Sequence, residues 1–223
     1  MKQLADDVYV LEGFPPYAIN VYLLGEVLVD SGTRFAAKRI LRRLRGRTIS
    51  THALTHAHPD HQGSSRAICE SLGIPLWCGD ADAEAMETAG EVMARMPRHW
   101  LSGTIGRLWT GPPHLVSRRL HEGDRVGSFT VIETPGHTVG HISFWREADG
   151  VLVVGDVVCN LNIFTGWVML REPERIFTPD PARNRASARR LVELEPKLIC
   201  FGHGPPLRDT ARFVKYVNSL PNP

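Results

Sequence analysis

The chain of 223 residues reads as an α+β fold built from two halves, each a sheet with helices, and three observations predict it. Residues 8–30 alternate in a β-like way. Residues 48–96 then run strand, helix, strand, helix. From residue 118 the strands resume, and the chain closes with helix, strand and helix. Alternation with period two marks half-buried strands, and a βαβ rhythm marks a sheet covered by outer helices. The halves divide near residue 115. No stretch reads as a linker, a repeat or low complexity, so 1–223 is expected to be one domain.

The first strands are Val8–Leu11, Ile19–Leu24 and Val27–Asp30, with Gly25-Glu26 as a hairpin turn and Asp30-Ser31-Gly32-Thr33 closing the third. Phe35 to Leu44 carries Phe35, Ile40, Leu41 and Leu44 at helical spacing. Its other side holds Arg34, Lys38, Arg39, Arg42 and Arg43, followed by Arg45 and Arg47. Such a run is read as a solvated helix face rather than an anion or nucleic-acid patch. A strand at 48–54, a helix at Ser64–Leu72, a strand at Ile74–Cys78 and a helix at Ala81–Met96 stopped by Pro97 follow.

Residues 97–116 mix Pro and Gly with Trp100, Leu101, Ile105, Leu108 and Trp109. Two compatible readings are a wall or lid beside a site and a short helix over Trp100–Trp109. Strands return at Arg118–His121, Thr130–Glu133, Ile142–Trp145 and Val151–Val154. Residues 157–181 are expected to be irregular. A helix at Ala182–Leu194, a strand at Lys197–Phe201 and a helix at Arg208–Leu220 complete the chain.

Composition narrows the function. Hydrophobic residues at 43% and charged residues at 22% are ordinary for a soluble protein. A net charge of +2 gives no strong field for polyanions, so a nucleic-acid partner is not expected. No apolar run nears the ~20 residues that span a bilayer. The N-terminus lacks the basic region and apolar core of a signal peptide, which makes a cytoplasmic protein the expectation. Cys69, Cys78, Cys159 and Cys200 are scattered and are expected to be free thiols.

The chemistry concentrates in Thr55-His56-Ala57-His58-Pro59-Asp60-His61-Gln62-Gly63, where four metal-capable side chains fall within six residues. At this composition such a match arises by chance on the order of once in a thousand chains of this length. Neutral imidazole and carboxylate suit zinc and similar divalent ions. His56 and His58 stand two apart and can face one ion. Asp60 and His61 are adjacent, point differently and suit a second. Pro59 stiffens the loop, and Gly63 lets the chain turn into the next helix.

Three later strand ends add single residues: His137 in Thr134-Pro135-Gly136-His137, Asp156 after Val151-Leu152-Val153-Val154-Gly155, and His203 in Gly202-His203-Gly204-Pro205. Each alone is a weak signal. His121 reads as structural, and His141 as a core residue or a support for the ligands.

Together and in this order, these motifs resemble the metallo-β-lactamase superfamily, and the resemblance runs from about residue 8 to residue 220. It implies the αβ/βα four-layer sandwich, with two mixed β-sheets face to face and helices on both outer sides. It implies that His56, His58 and His137 hold one ion, that Asp60, His61 and His203 hold another, and that Asp156 bridges them. The implied cofactors are two divalent ions, zinc first, with manganese or iron as alternatives. The implied reaction is hydrolysis of an ester, thioester, lactone or related bond of a small organic substrate. A hydroxide shared by two ions ~3.5–4 Å apart attacks there, and Asp60 takes part as the catalytic carboxylate.

Departures from known branches keep the substrate open. Asp156 and the missing signal peptide argue against a secreted β-lactamase. Val157-Val158-Cys159-Asn160-Leu161 lacks the glutathione-gripping lysine of glyoxalase II, and Cys159 stands where acyl-homoserine lactonases carry a tyrosine. The alternatives are a mononuclear iron enzyme like the persulfide dioxygenases and, behind it, a nuclease or phosphodiesterase. A homodimer is left open.

Overall fold

The computed structural model describes residues 1–88 and 99–222. The second half of the helix expected over Ala81–Met96, and its stop at Pro97, lie outside the described residues.

A seven-stranded sheet runs in sequence order through β1 (Lys2–Ala5), β2 (Val8–Val10), β3 (Tyr22–Leu24), β4 (Val27–Val29), β5 (Thr51–Ala53), β6 (Leu76–Gly79) and β7 (Arg118–Leu120). The first four strands are antiparallel neighbours, and β4 to β7 are parallel. The second sheet is ordered β12 (Leu198–Phe201), β11 (Val151–Gly155), β10 (Ile142–Arg146), β9 (Phe129–Glu133) and β8 (Arg125–Val126). Only its β11–β12 pair is parallel. Both sheets are therefore mixed, as the resemblance implied.

Alternation decides what each face buries. Val8, Val10, Tyr22 and Leu24 meet Phe129, Phe144, Val151 and Val153 between the sheets. The intervening Leu23 and Leu28 pack outward against Ile40 of α1 (Ala37–Arg43) and Ile68 of α3 (Ser65–Leu72). On the other side Leu152, Val154, Ile199 and Phe201 pack on α6 (Pro181–Val192) and α7 (Thr210–Asn218). The central strand β11 has helices on one side and a sheet on the other, which is why it reads as an unbroken apolar run. The layers are helix, sheet, sheet, helix.

Some elements differ from expectation. The strand β1 precedes the first one expected. Its KQLA sequence is half exposed at a sheet edge and carries no alternation to read. The helix expected from Ser64 is preceded by a four-residue helix, α2 (Pro59–Gln62), with proline at its start. Trp100–Trp109 is a helix, α5, as one of the two readings had it. The remaining helix on this side is α4 (Asp80–Glu87). The basic side of α1 is partly anchored. Arg39 Nη1 donates to the Glu12 carbonyl at 2.8 Å, and Arg43 reaches the same oxygen at 3.4 Å. All four cysteines are free and buried. Among the described residues, no helix is long and apolar enough to cross a membrane.

Candidate metal centre

Every chain segment that the sequence singled out ends at one edge of the sandwich. Beyond β5 the backbone carries His56 and His58 in an extended stretch, and α2 carries Asp60 and His61. The loop between β9 and β10 brings His137, the residue after β11 is Asp156, and the turn after β12 brings His203. All seven are brought together. Ligand-capable atoms lie within 4.8 Å of one another in each of three sets: His56, His58 and His137; Asp60, His61 and His203; and His56, His61 and Asp156. Asp156 Oδ2 lies 3.0 Å from His203 Nε2, 3.5 Å from His61 Nε2 and 3.6 Å from His137 Nε2, between the first two sets. Glycine at 202 makes this approach feasible. A Cβ there would stand 2.0 Å from Asp156 Oδ1.

Outer partners turn the rings. His61 Nδ1–H donates to Asp30 Oδ2 at 2.9 Å, and His203 Nδ1–H donates to the Ala18 carbonyl. The Thr178 hydroxyl donates to the Glu174 carbonyl, so it accepts from His137 Nδ1–H at 3.0 Å. The Thr55 hydroxyl donates to Asp30 and accepts from His56 Nδ1–H at 3.0 Å. In His56 and His137 this leaves the Nε2 lone pair facing the cluster, and in His61 and His203 it turns Nε2 toward Asp156.

Buried polar atoms ordinarily find partners. His56 Nε2, His137 Nε2 and Asp156 Oδ1 have none, although they are buried and belong to residues of these sets. Three such orphaned electron-pair donors would each cost about 1–3 kcal/mol. Divalent cations held by these sets would satisfy them, so the residues fit a metal.

The two principal sets differ electrically. Burial, reinforced by neighbouring imidazoles, pushes His56 and His137 well below the usual histidine range and His58 down to about 4. These rings are neutral, the form in which imidazole can bind a metal. Burial works against the charges of the second set, yet Asp156 outweighs it and raises His203 to about 10. Asp156, Asp30 and Asp60 likewise hold His61 well above its usual range. Burial alone would raise Asp60 and Asp156, but the adjacent His61 and His203 keep both carboxylates ionised.

Three residues matter here whose roles the sequence did not reveal. Asp30 accepts from the Thr55 amide at 2.8 Å as well as from His61. It lies next to a turn that the sequence did mark, and its left-handed backbone (φ 61°) points the side chain back under the loop. Asp82 on α4 accepts from the Ala57 amide at 3.0 Å, the Gly140 amide at 2.9 Å and the Thr138 hydroxyl at 2.7 Å. It thereby ties the His56–His61 loop to the His137 loop. His52, buried on β5, donates to the Leu28 carbonyl and accepts from the Ser65 hydroxyl at 2.9 Å. His141 supports the centre from behind. Its Nε2 accepts the Asp156 amide at 3.1 Å, and its Nδ1–H donates to the Thr134 hydroxyl at 2.8 Å. His121 lies on the surface, 3.9 Å from Glu133.

A cleft opens over the cluster. Ile105 and Trp109 of α5 line it together with Leu161, Ile163 and Phe177. The charged residues near its rim pair with each other, Arg171 with Glu174 and Arg185 with Glu172. Trp100 and Trp167 stand outside the cleft, at 76% and 73% exposure.

Comparison with known proteins agrees with this geometry. The family model described as "Metallo-beta-lactamase superfamily" matches residues 14–203. A probable metallo-hydrolase, YflN of Bacillus subtilis, is 29% identical over 201 residues, covering 81% of this chain and 76% of its own. A hydroxyacylglutathione hydrolase of Chelativorans is 29% identical over 79% of this chain, which spans 56% of that relative's length. The crystal structure of TTHA1623 in a di-iron-bound form superposes with a TM-score of 0.69 at 29% identity, covering 94% of this chain and all of that one. The chain belongs to the metallo-beta-lactamase superfamily and is a metal-dependent hydrolase.

Proposed function

We propose that this chain is a dinuclear hydrolase of an ester, thioester, lactone or related bond in a small organic substrate, with its two halves acting as one domain. His56, His58 and His137 would hold one ion and Asp60, His61 and His203 the other, with Asp156 shared. The observation that carries this reading is the gathering of ligand-capable atoms from both halves of the chain into three tight sets, in which His56 Nε2, His137 Nε2 and Asp156 Oδ1 are buried and unpartnered. Two bound divalent ions supply a water of lowered pKa and polarise the substrate's carbonyl oxygen.

The chain's own residues do the rest. Asp60 is ionised, 18% exposed and on the cleft floor, 3.3 Å from His203 Nε2. It orients the attacking water, takes its proton and passes it to the leaving group. Ile105, Trp109, Leu161 and Phe177 shed water from the apolar part of the substrate. Similarity to a hydroxyacylglutathione hydrolase favours a thioester among the substrate classes. Zinc suits the donor set, and the di-iron form of a similar structure makes iron the second candidate.

The test is metal content of the purified protein by elemental mass spectrometry, alongside Asp156→Ala and an ester, thioester and lactone panel. Close to two ions per wild-type chain, falling in the variant together with hydrolysis, is expected. One iron per chain with oxygen consumption on a persulfide would overturn the dinuclear reading in favour of a mononuclear oxygenase.

A further inference from the structure

A second groove runs from the same metal cluster in another direction. Asp60, His203, Trp109 and Ile163 line both it and the cleft described above. Its far walls come from the loop between β2 and β3 and from the start of α1. They are apolar: Phe14, Ile19 and Phe35, with Phe14 at 92% and Phe35 at 72% exposure. One cation interrupts them, Arg39.

The guanidinium of Arg39 is half buried and spends one nitrogen on its own fold. Nη1 donates to the Glu12 carbonyl at 2.8 Å and reaches the Leu11 carbonyl at 3.5 Å. Nη2 lies beside Gly32 on the groove wall, where a Cβ would come within 3.9 Å of it. Among the described residues, no acceptor lies within hydrogen-bonding distance of Nη2, and no carboxylate lies within 4.0 Å of the side chain. In the other cleft, by comparison, the one lining arginine among the described residues, Arg171, is held by an ion pair with Glu174. Burial and the neighbouring Arg43 both disfavour the Arg39 charge. An anchored, partly desolvated guanidinium with a free donor edge is what a planar anion recognises.

We infer that this groove is a binding subsite for a carboxylate, and that the substrate is an ester or thioester with an apolar chain ending in that carboxylate. The scissile carbonyl sits over Asp60 and His203, the chain lies along Phe14 and Phe35, and the carboxylate meets Arg39 Nη2. A monoanion matches a single arginine among apolar walls better than a dianionic phosphate, which would call for further donors. This inference rests on the hydrolase reading for its reaction. It is independent of that reading for its binding.

The experiment compares metal-loaded wild type with Arg39→Met on paired substrates: the mono-4-nitrophenyl esters of succinic, adipic and suberic acid against neutral 4-nitrophenyl esters of equal chain length. In wild type, kcat/KM for the acid over the neutral ester is expected to be roughly tenfold or more at one of the three lengths, carried by KM. In the variant that ratio is expected to fall to about one. A second variant, Thr33→Glu, places a competing carboxylate in the groove while leaving the Arg39–Glu12 anchor in place, and the same collapse is expected. Titration calorimetry with hexanoate, against hexanol as control, reads binding without turnover. Binding of hexanoate to wild type that is lost in both variants supports the subsite even if no ester is cleaved, and that combination would overturn the hydrolase reading alone. Hydrolysis with no preference for the acid, or a preference that both folded variants retain, would overturn the subsite and leave the hydrolase standing.

Discussion

Residues 54–61 and residues 163–169 both belong to the neighbourhood of the metal cluster, and they are built in opposite ways. In the first stretch every residue but Asp60 is buried, and its amides are held from afar, by Asp30 at Thr55 and by Asp82 at Ala57. In the second every residue is exposed, and the hydrogen bonds are local. Asn162 accepts from the amides of Phe164, Thr165 and Gly166, and its own amide donates to the Trp167 carbonyl. The difference teaches where the protein tolerates change. A misplaced ligand loses the metal, so the ligand loop is fixed by buried charge. A self-contained surface turn can vary with the substrate while the sandwich stays intact.

The largest expected effect is at Asp30. Asp30→Ala strands the Thr55 amide and the His61 Nδ1–H in the interior and is expected to cost about 3–5 kcal/mol in urea unfolding. A loss below about 1 kcal/mol would mean that the loop is held some other way. Asp82→Ala removes the tie between the two ligand loops and is expected to cost about 3 kcal/mol, with weaker metal retention against a chelator. Unchanged retention would deny it a positioning role.

His52 supplies a pH-dependent test of the same region. Burial pushes its pKa down to about 4, although the hydrogen bond to Leu28 and the charge of Asp30 work the other way. The unfolded chain protonates near 6.5, so between pH 6.5 and pH 4 the unfolded state binds more protons and stability falls as pH falls. The full shift is worth about 2–3 kcal/mol by pH 4. A flatter stability profile over this window in His52→Gln is the expected sign, and an identical profile would assign the acid sensitivity elsewhere.

The smallest effect is on the exposed side. Trp167→Ala is expected to change stability by no more than ~0.5 kcal/mol. Within the cleft the comparison sharpens. Trp109→Ala is expected to raise KM, while Trp100→Ala leaves it alone, because only Trp109 lines the cleft. Equal effects of the two would remove α5 as a specific wall.

The candidate ligands were legible because each sits in a short motif whose residue types are chemically restrictive and whose strand–turn context is local. The supports were harder to see. Asp82 looks like any acid in the first turn of a helix, and its three donors lie 25 to 58 residues away. Trp100, Trp109 and Trp167 looked alike in composition, and only the axial position of each side chain on the folded surface separates them. Strand β1 was missed because pairing with β2, rather than its own pattern, makes it a strand.

The order in which the cluster's residues leave the chain has a consequence for the cell's handling of this protein. His56, His58, Asp60 and His61 come from the first half and His137, Asp156 and His203 from the second, so neither half holds a complete set. His61 and His203 are 142 residues apart in the chain. On the proposed assignment an ion gripping both would act as a stitch across the two sheets. By the entropy of closing so long a loop, it would restrain the unfolded chain by roughly 4–5 kcal/mol, much as a disulfide would. Metal starvation would then shorten the protein's lifetime as well as idle the enzyme.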